Sequence, residues 1–356
     1  MLLNRRPVGR HGDRGAVAAI AAVLFGTGVA LGICALVVDV GLIYVERKQL
    51  QTGADAAAAD VARVCAVSAV ACGAPDSADA AIAYARENVA DGGATALVCG
   101  RGGGLPDCPA AAAGEGACAR PAPATGVYAE VRTSILRPDG STLLPPVFAQ
   151  AVVDDFDGAA VTACARVTWG APAAARTFGL TISTCDWNAM TGRGRALPTA
   201  ERAVALYTDT DPRACGRRGP GSAGTGGFRW LAGAEPTCRT AVSTATAFRV
   251  TRPDERPDGC LEVLESLTPG QALAVPVFAA VTDAGDGGFD YAAAGVAAFV
   301  VTGWHLPDSD VPSPTLTSCG AGVPTCVYGF FTRALVPGGG KVGGPDLGAQ
   351  ITALIG

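Results

Sequence analysis

The sequence predicts an α+β protein. A long amino-terminal transmembrane helix continues into a small α+β domain, and a disulfide-stapled, β-rich domain follows. Three observations predict this class. The 24 residues Gly15–Val38 hold no charged side chain. A stripe of apolar residues at helical spacing continues from them, and short alternating runs broken by Gly and Pro fill the rest. Twelve of the 13 cysteines lie outside the apolar stretch, an even number spread along the chain.

Length and composition narrow the classes further. The 356 residues suit about two domains at ~150 residues each. Hydrophobic residues are 49% and charged residues 17%, which excludes a disordered polyelectrolyte. A net charge of -5 argues against a nucleic-acid partner. Only Lys48 and Lys341 among the 27 basic residues are lysines, part of a bias to Ala, Gly, Arg and Pro.

Residues 1–14 form a short arm with Arg5, Arg6, Arg10 and Arg14 against one acid, Asp13. Residues 15–38 follow as the span, ~36 Å long at ~1.5 Å per residue, against a hydrocarbon core of ~30 Å. The stretch is too long and too evenly apolar for a buried soluble helix. It also exceeds the ~7–15 apolar residues of a cleaved signal, and no convincing small-x-small site follows it. The positive arm keeps the amino terminus cytoplasmic and the bulk of the chain extracytoplasmic, a single pass through the cell membrane. Gly28 and Gly32 form a small-xxx-small pair through which the helix could self-associate. Asp39, just past the span, is expected to mark the membrane edge and reach water.

The helix is expected to run on over 39–71. Leu50, Ala54, Ala57, Val61 and Cys65 make one apolar stripe, and Arg47, Gln51, Asp55 and Arg63 lie largely off it. Residues 72–170 read as a small α+β domain. It has a helix over Asp76–Asn88 capped by Asp76, strands at Thr95–Cys99, Val127–Leu136 and Ala159–Trp169, and a short helix at Leu143–Val153. The loop Gly100–Pro123 reads as stapled by Cys108 and Cys118. Ala171–Ala175 reads as a linker. In 171–356, strands are expected at Phe178–Thr184, Ala241–Thr251, Gln271–Val281, Ala292–Thr302 and Tyr328–Val336.

The cysteines outside the span are Cys65, Cys72, Cys99, Cys108, Cys118, Cys164, Cys185, Cys215, Cys238, Cys260, Cys319 and Cys326. None has the two-residue gap of a zinc knuckle, and the only histidines are His11 and His305, so disulfides in an oxidising compartment are expected. Spacing leaves the pairing open, although Cys319 and Cys326 suit a hairpin staple. No catalytic, cofactor or metal site is expected. His305 is the one extracytoplasmic histidine, and no G-x-S-x-G elbow, Walker loop or dinucleotide loop occurs. The acidic loops Asp154, Asp155, Asp157 and Asp283, Asp286, Asp290 lack the ligand register of a calcium loop and read as polar turns.

A family resemblance rests on RGAVAAIAAVLF, Arg14–Phe25, and ALVVDVGLIYVERKQLQTGADAAAADVA, Ala35–Ala62. These segments resemble the Flp pilus-assembly TadE/TadG-like family of the bacterial tight-adherence system. Asp39, Gly41, Tyr44, Gln49, Leu50, Gln51, Ala54 and Asp55 match its motif in order. Gly226–Leu231, Ala272–Phe278, Gly295–Leu306 and Tyr328–Leu335 resemble the longer actinobacterial TadG-related members. A helix half in the bilayer and half outside is similar to pilins and pseudopilins, which makes the 72–170 domain pilin-like. The resemblance implies a membrane-anchored accessory component of a Tad (Flp) pilus assembly system. It would act by scaffolding, with the bilayer and other Tad/Flp proteins as partners. Ile20 stands where a prepilin cleavage site counted from Ala16 favours an acid, so an uncleaved protein is expected. The alternatives are a membrane-tethered enzyme using His305 and a calcium-dependent adhesin.

Overall fold

A computed structural model describes residues 14–110, 118–148, 150, 157–206, 226–252, 255–285, 288–320, 322–337 and 339–356. Helix α1, Arg14–Val67, runs 54 residues without a proline, ~80 Å at ~1.5 Å per residue. Its first part is apolar and uncovered, and it qualifies as a candidate membrane span. Its second part buries the predicted stripe, Leu50, Ala54, Ala57, Val61 and Cys65. Helix α1 stops where Ser68 turns extended. The Ser68 Oγ accepts the Ala71 N–H at 3.2 Å, capping the short helix α2, Ala69–Cys72. A Cys65–Cys72 disulfide closes this corner.

Helix α3, Pro75–Glu87, starts differently from the expectation. Ala74 holds the cap position without a side-chain bond, Pro75 opens the helix, and Asp76 sits in the first turn. Proline suits that place because its missing N–H has no helical partner there, and an acid there faces the positive end of the dipole. Helix α3 crosses α1 closely at Gly53. A Cβ there would stand 3.0 Å from the Ala85 Cα and 3.2 Å from the Tyr84 carbonyl oxygen.

The two helices lie on a five-stranded sheet. Its order is β1 (Ala94–Arg101), β2 (Tyr128–Ile135), β5 (Thr162–Gly170), β18 (Ala349–Leu354), β16 (Ala334–Leu335). Ala54, Ala57, Ala58, Val61 and Ala62 pack onto Val98, Ala129, Val131, Ala165 and Val167. Strand β18 arrives from the carboxy terminus and pairs antiparallel with β5, Ile351 opposite Gly170. The last strand of the 171–356 span thus belongs to the sheet of the 72–170 span.

Several local expectations are corrected. Leu143–Leu144 is not the start of a helix. It is strand β3, paired with β4 (Ala159–Ala160) as a hairpin. Pro145 and Pro146 supply no N–H, and the pre-proline positions are steered away from helix. Of that expected helix, Leu143–Val153, residues 149 and 151–153 lie outside the described residues. The expected linker is instead the start of β6, Pro172–Phe178. This is the central strand of a three-stranded sheet between β10 (Arg239–Ser243) and β17 (Gly340–Val342). Its proline is tolerated because it is the first residue of the strand.

The largest sheet has the order β8 (Arg202–Ala205), β15 (Cys326–Thr332), β13 (Phe289–Leu306), β12 (Ala272–Asp283), β7 (Leu180–Ser183), β9 (Phe228–Trp230). Strands β11 (Phe248–Arg249) and β14 (Ser309–Val311) pair with β13. The expected strand Ala241–Thr251 splits into β10 and β11 at a turn in which Thr246 N–H bonds the Ser243 carbonyl. Two helices not expected from sequence, α4 (Thr184–Thr191) and α5 (Cys260–Glu265), border the core. That core includes Ile182, Trp187, Phe228, Trp230, Phe299 and Phe331.

Five disulfides join described residues: Cys65–Cys72, Cys99–Cys108, Cys118–Cys164, Cys238–Cys260 and Cys319–Cys326. The hairpin staple Cys319–Cys326 is as expected. The expected Cys108–Cys118 staple is not formed, because β1 and β5 each draw one of these cysteines to a sheet position. Cys185 is also disulfide-bonded, Cys215 lies outside the described residues, and Cys34 is a free, exposed thiol.

Candidate functional site

The eight motif residues all lie on α1, and the fold divides them by face. Gln49, Leu50, Gln51, Gly53 and Ala54 form a seam against the sheet and α3. The Gln49 Oε1 accepts the Ala90 N–H at 3.2 Å. Leu50 is fully buried against Ala85, Val89, Ile135 and Val161, and its carbonyl accepts the Thr133 hydroxyl at 3.0 Å. The Gln51 amide donates to the Cys164 carbonyl at 3.1 Å and to the Asp55 carboxylate at 2.9 Å. This seam joins side-chain polar groups to sheet backbone at fixed places along the helix. It therefore sets the helix register as well as its burial.

Gly41 and Tyr44 lie outside that seam, uncovered by the sheet or α3. A Cβ at Gly41 would meet nothing within 4 Å, and Tyr44 is exposed with the Lys48 ammonium 5.6 Å from its ring centre. Asp39 behaves unlike the expectation. It is only 7% exposed, and its carboxylate accepts the Val147 N–H at 2.9 Å and the Phe148 N–H at 3.1 Å. The hairpin β3–β4 reaches down the helix and covers it, so Asp39 does not open to water. Gly28 and Gly32 have no other part of the described chain within 4 Å of a built Cβ.

Sequence reading missed a buried charge network on the far side of the sheet. Glu130, on β2, is 2% exposed. It pairs with Arg166 and with Arg132, whose Nε stands 2.7 Å away. The Arg166 Nη1 also donates to the Arg120 carbonyl at 2.7 Å, and the guanidiniums of Arg101 and Arg166 flank the Tyr128 ring. Two arginines spaced around one glutamate on neighbouring strands were the only available signal. Glu130 lies within ligand distance of Cys99 and Cys108, and of Cys118 and Cys164. Those sulfurs are disulfide-bonded, so they offer no thiolate to a metal.

The chemistry-bearing residues weighed from sequence have turn and strand roles. His305 is exposed on β13, its Nδ1 3.3 Å from Asp310 across the β13–β14 hairpin. Asp283 accepts the Gly285 N–H at 2.8 Å, and Asp290 pairs with Arg249. Asp154, Asp155 and Asp286 lie outside the described residues. A second acid that sequence reading did not single out is Asp186, part-buried in the first turn of α4. Its carboxylate shares a 2.5 Å hydrogen bond with the Ser183 hydroxyl. Burial pushes the Asp186 pKa above the usual carboxylate value, partly offset by the bonds from Ser183 and Gly227.

No curated protein and no solved structure is a match for this chain. A family model does match, the Flp pilus-assembly TadE/G-like model, over residues 15–64. That range holds the uncovered apolar part of α1 and the whole seam, and stops short of the sheets. The match points to a role in pilus assembly. Residues 15–64 are therefore similar to the TadE/G-like domain of the Flp pilus-assembly family.

Proposed function

We propose that the protein is a membrane-anchored accessory component of a Tad (Flp) pilus assembly system and works by scaffolding. The carrying observation is the continuity of α1. One unbroken helix leads from an uncovered apolar stretch into a seam bonded to the sheet, so the sheets are held at a set orientation to the anchor. In this reading residues 1–14 stay cytoplasmic, residues 15–38 span the cell membrane, and the disulfide-bonded sheets lie outside. The helix on a sheet makes the 72–170 region pilin-like in architecture. Gly28 and Gly32 then offer a close-packing face to a second helix, either another copy or another pilus protein.

The function is contact rather than catalysis. His305 is exposed on a hairpin, and a His305→Ala variant is expected to leave pilus assembly unchanged. Crosslinking in piliated cells, followed by purification of the full chain, should recover Tad/Flp assembly proteins. Normal piliation after gene deletion, with no such protein recovered, overturns the reading.

A further inference from the structure

We propose that Pro145–Phe148, the residues that follow β3 in the β3–β4 connection, are a second membrane contact, seated in the interfacial layer of the leaflet nearest the sheets and pinned there by Asp39. This rests on the reading that α1 spans a bilayer. The first argument is depth. Twenty residues from Gly15 reach Cys34, ~30 Å along the helix, which matches the hydrocarbon thickness of ~30 Å. Ala35–Asp39 add ~7 Å and so fall in the headgroup layer. Phe148 lines one hollow of about 480 Å³ together with Cys34, Ala35 and Val38, which places it at that depth.

The second argument is chemical. A loop lying among lipids must leave no N–H without a partner. Pro145 and Pro146 have none, and the N–H groups of Val147 and Phe148 both donate to Asp39. Pro145–Phe148 therefore present no free backbone donor, and their one charged contact is spent inside the protein. The third argument is surface. Val147 is 58% and Phe148 48% exposed, next to the uncovered apolar face of α1. The sequence carries no charge from Gly140 to Val153. An apolar segment, Pro145–Phe148, with no unpaired backbone donor among these described residues and continuous with the anchor, fits lipid.

Full chain carrying Phe148→Trp, reconstituted in phosphatidylcholine vesicles, tests this. The four native tryptophans, Trp169, Trp187, Trp230 and Trp304, lie in the sheets or in α4 and set the background. The expected result is an added blue-shifted emission that is quenched when the lipid is brominated near the headgroup end of its chains. Added emission that escapes quenching, from water or from contact with another protein copy, overturns the proposal if the protein still floats with the vesicles. That outcome leaves the anchor reading intact. Protein that fails to float overturns both. Adding Asp39→Ala should remove most of the quenching, and unchanged quenching removes Asp39 as the pin. If that double variant does not fold, the Phe148→Trp comparison decides alone.

Discussion

Residues 17–38 and residues 50–66 belong to one helix, yet their surfaces obey different rules. In the first stretch, apolar side chains point in every direction and Phe25 is 77% exposed. In the second, one stripe of Leu, Ala, Val and Cys is buried, while Arg47 and Arg63 stay at the surface. The first surface matches a medium that surrounds it evenly; the second matches a sheet on one side and water on the other. Small residues dominate the second stripe because α1 approaches both α3 and the sheet closely, as at Gly53. Continuous apolarity and a stripe are thus separate signals, and the two change over between Asp39 and Leu50.

This contrast can be broken by substitution, read as urea unfolding of the full chain in detergent. The largest loss is expected on the sheet that supports the second stretch. Glu130→Gln leaves Arg166 and Arg132 short of their counter-charge in a buried place and should cost ~3–5 kcal/mol. A loss under about 1 kcal/mol contradicts the buried network. Next, Leu50→Ala opens a cavity in a full core and should cost ~2–5 kcal/mol, while Leu31→Ala in the uncovered stretch leaves the unfolding midpoint in place. Equal effects at the two sites erase the comparison. Ala54→Leu overpacks the seam and should cost ~1–3 kcal/mol, with Ala30→Leu silent.

The smallest effect is a pH dependence in the second large sheet. The Asp186 carboxyl is raised by burial in the folded state, so folding favours its protonated form. Its contribution is fully present below the unfolded value of 3.8 and is lost as pH rises through the folded value. Asp186→Asn should flatten that fall, and an unchanged pH profile removes the assignment. The substituted amide keeps a partner for the Ser183 hydroxyl.

Much of this was legible in the sequence where the signal is local. The stripe Leu50–Cys65, the hairpin staple Cys319–Cys326 and the strands over 272–302 follow from periodicity and spacing within short windows. Phe228, Val275, Phe299 and Phe331, far apart in sequence, all lie in one core. What was not legible depends on distant partners. Asp39 reads as a membrane-edge acid until a hairpin more than a hundred residues later covers it. The burial of Glu130 depends on β5, which brings Arg166 beside it, and on segments from Arg120 and the carboxy terminus that cover that face. Strand β18 could not be placed beside β5 from spacing, since almost the whole second half of the chain lies between them.

The central claim is that α1 crosses a membrane and carries the sheets on its outer side. Protease added to intact cells tests it most directly. The account predicts that the sheet-bearing bulk is digested at its exposed loops while the arginine-bearing arm of residues 1–14 is protected. Digestion of the arm with the bulk left whole contradicts it.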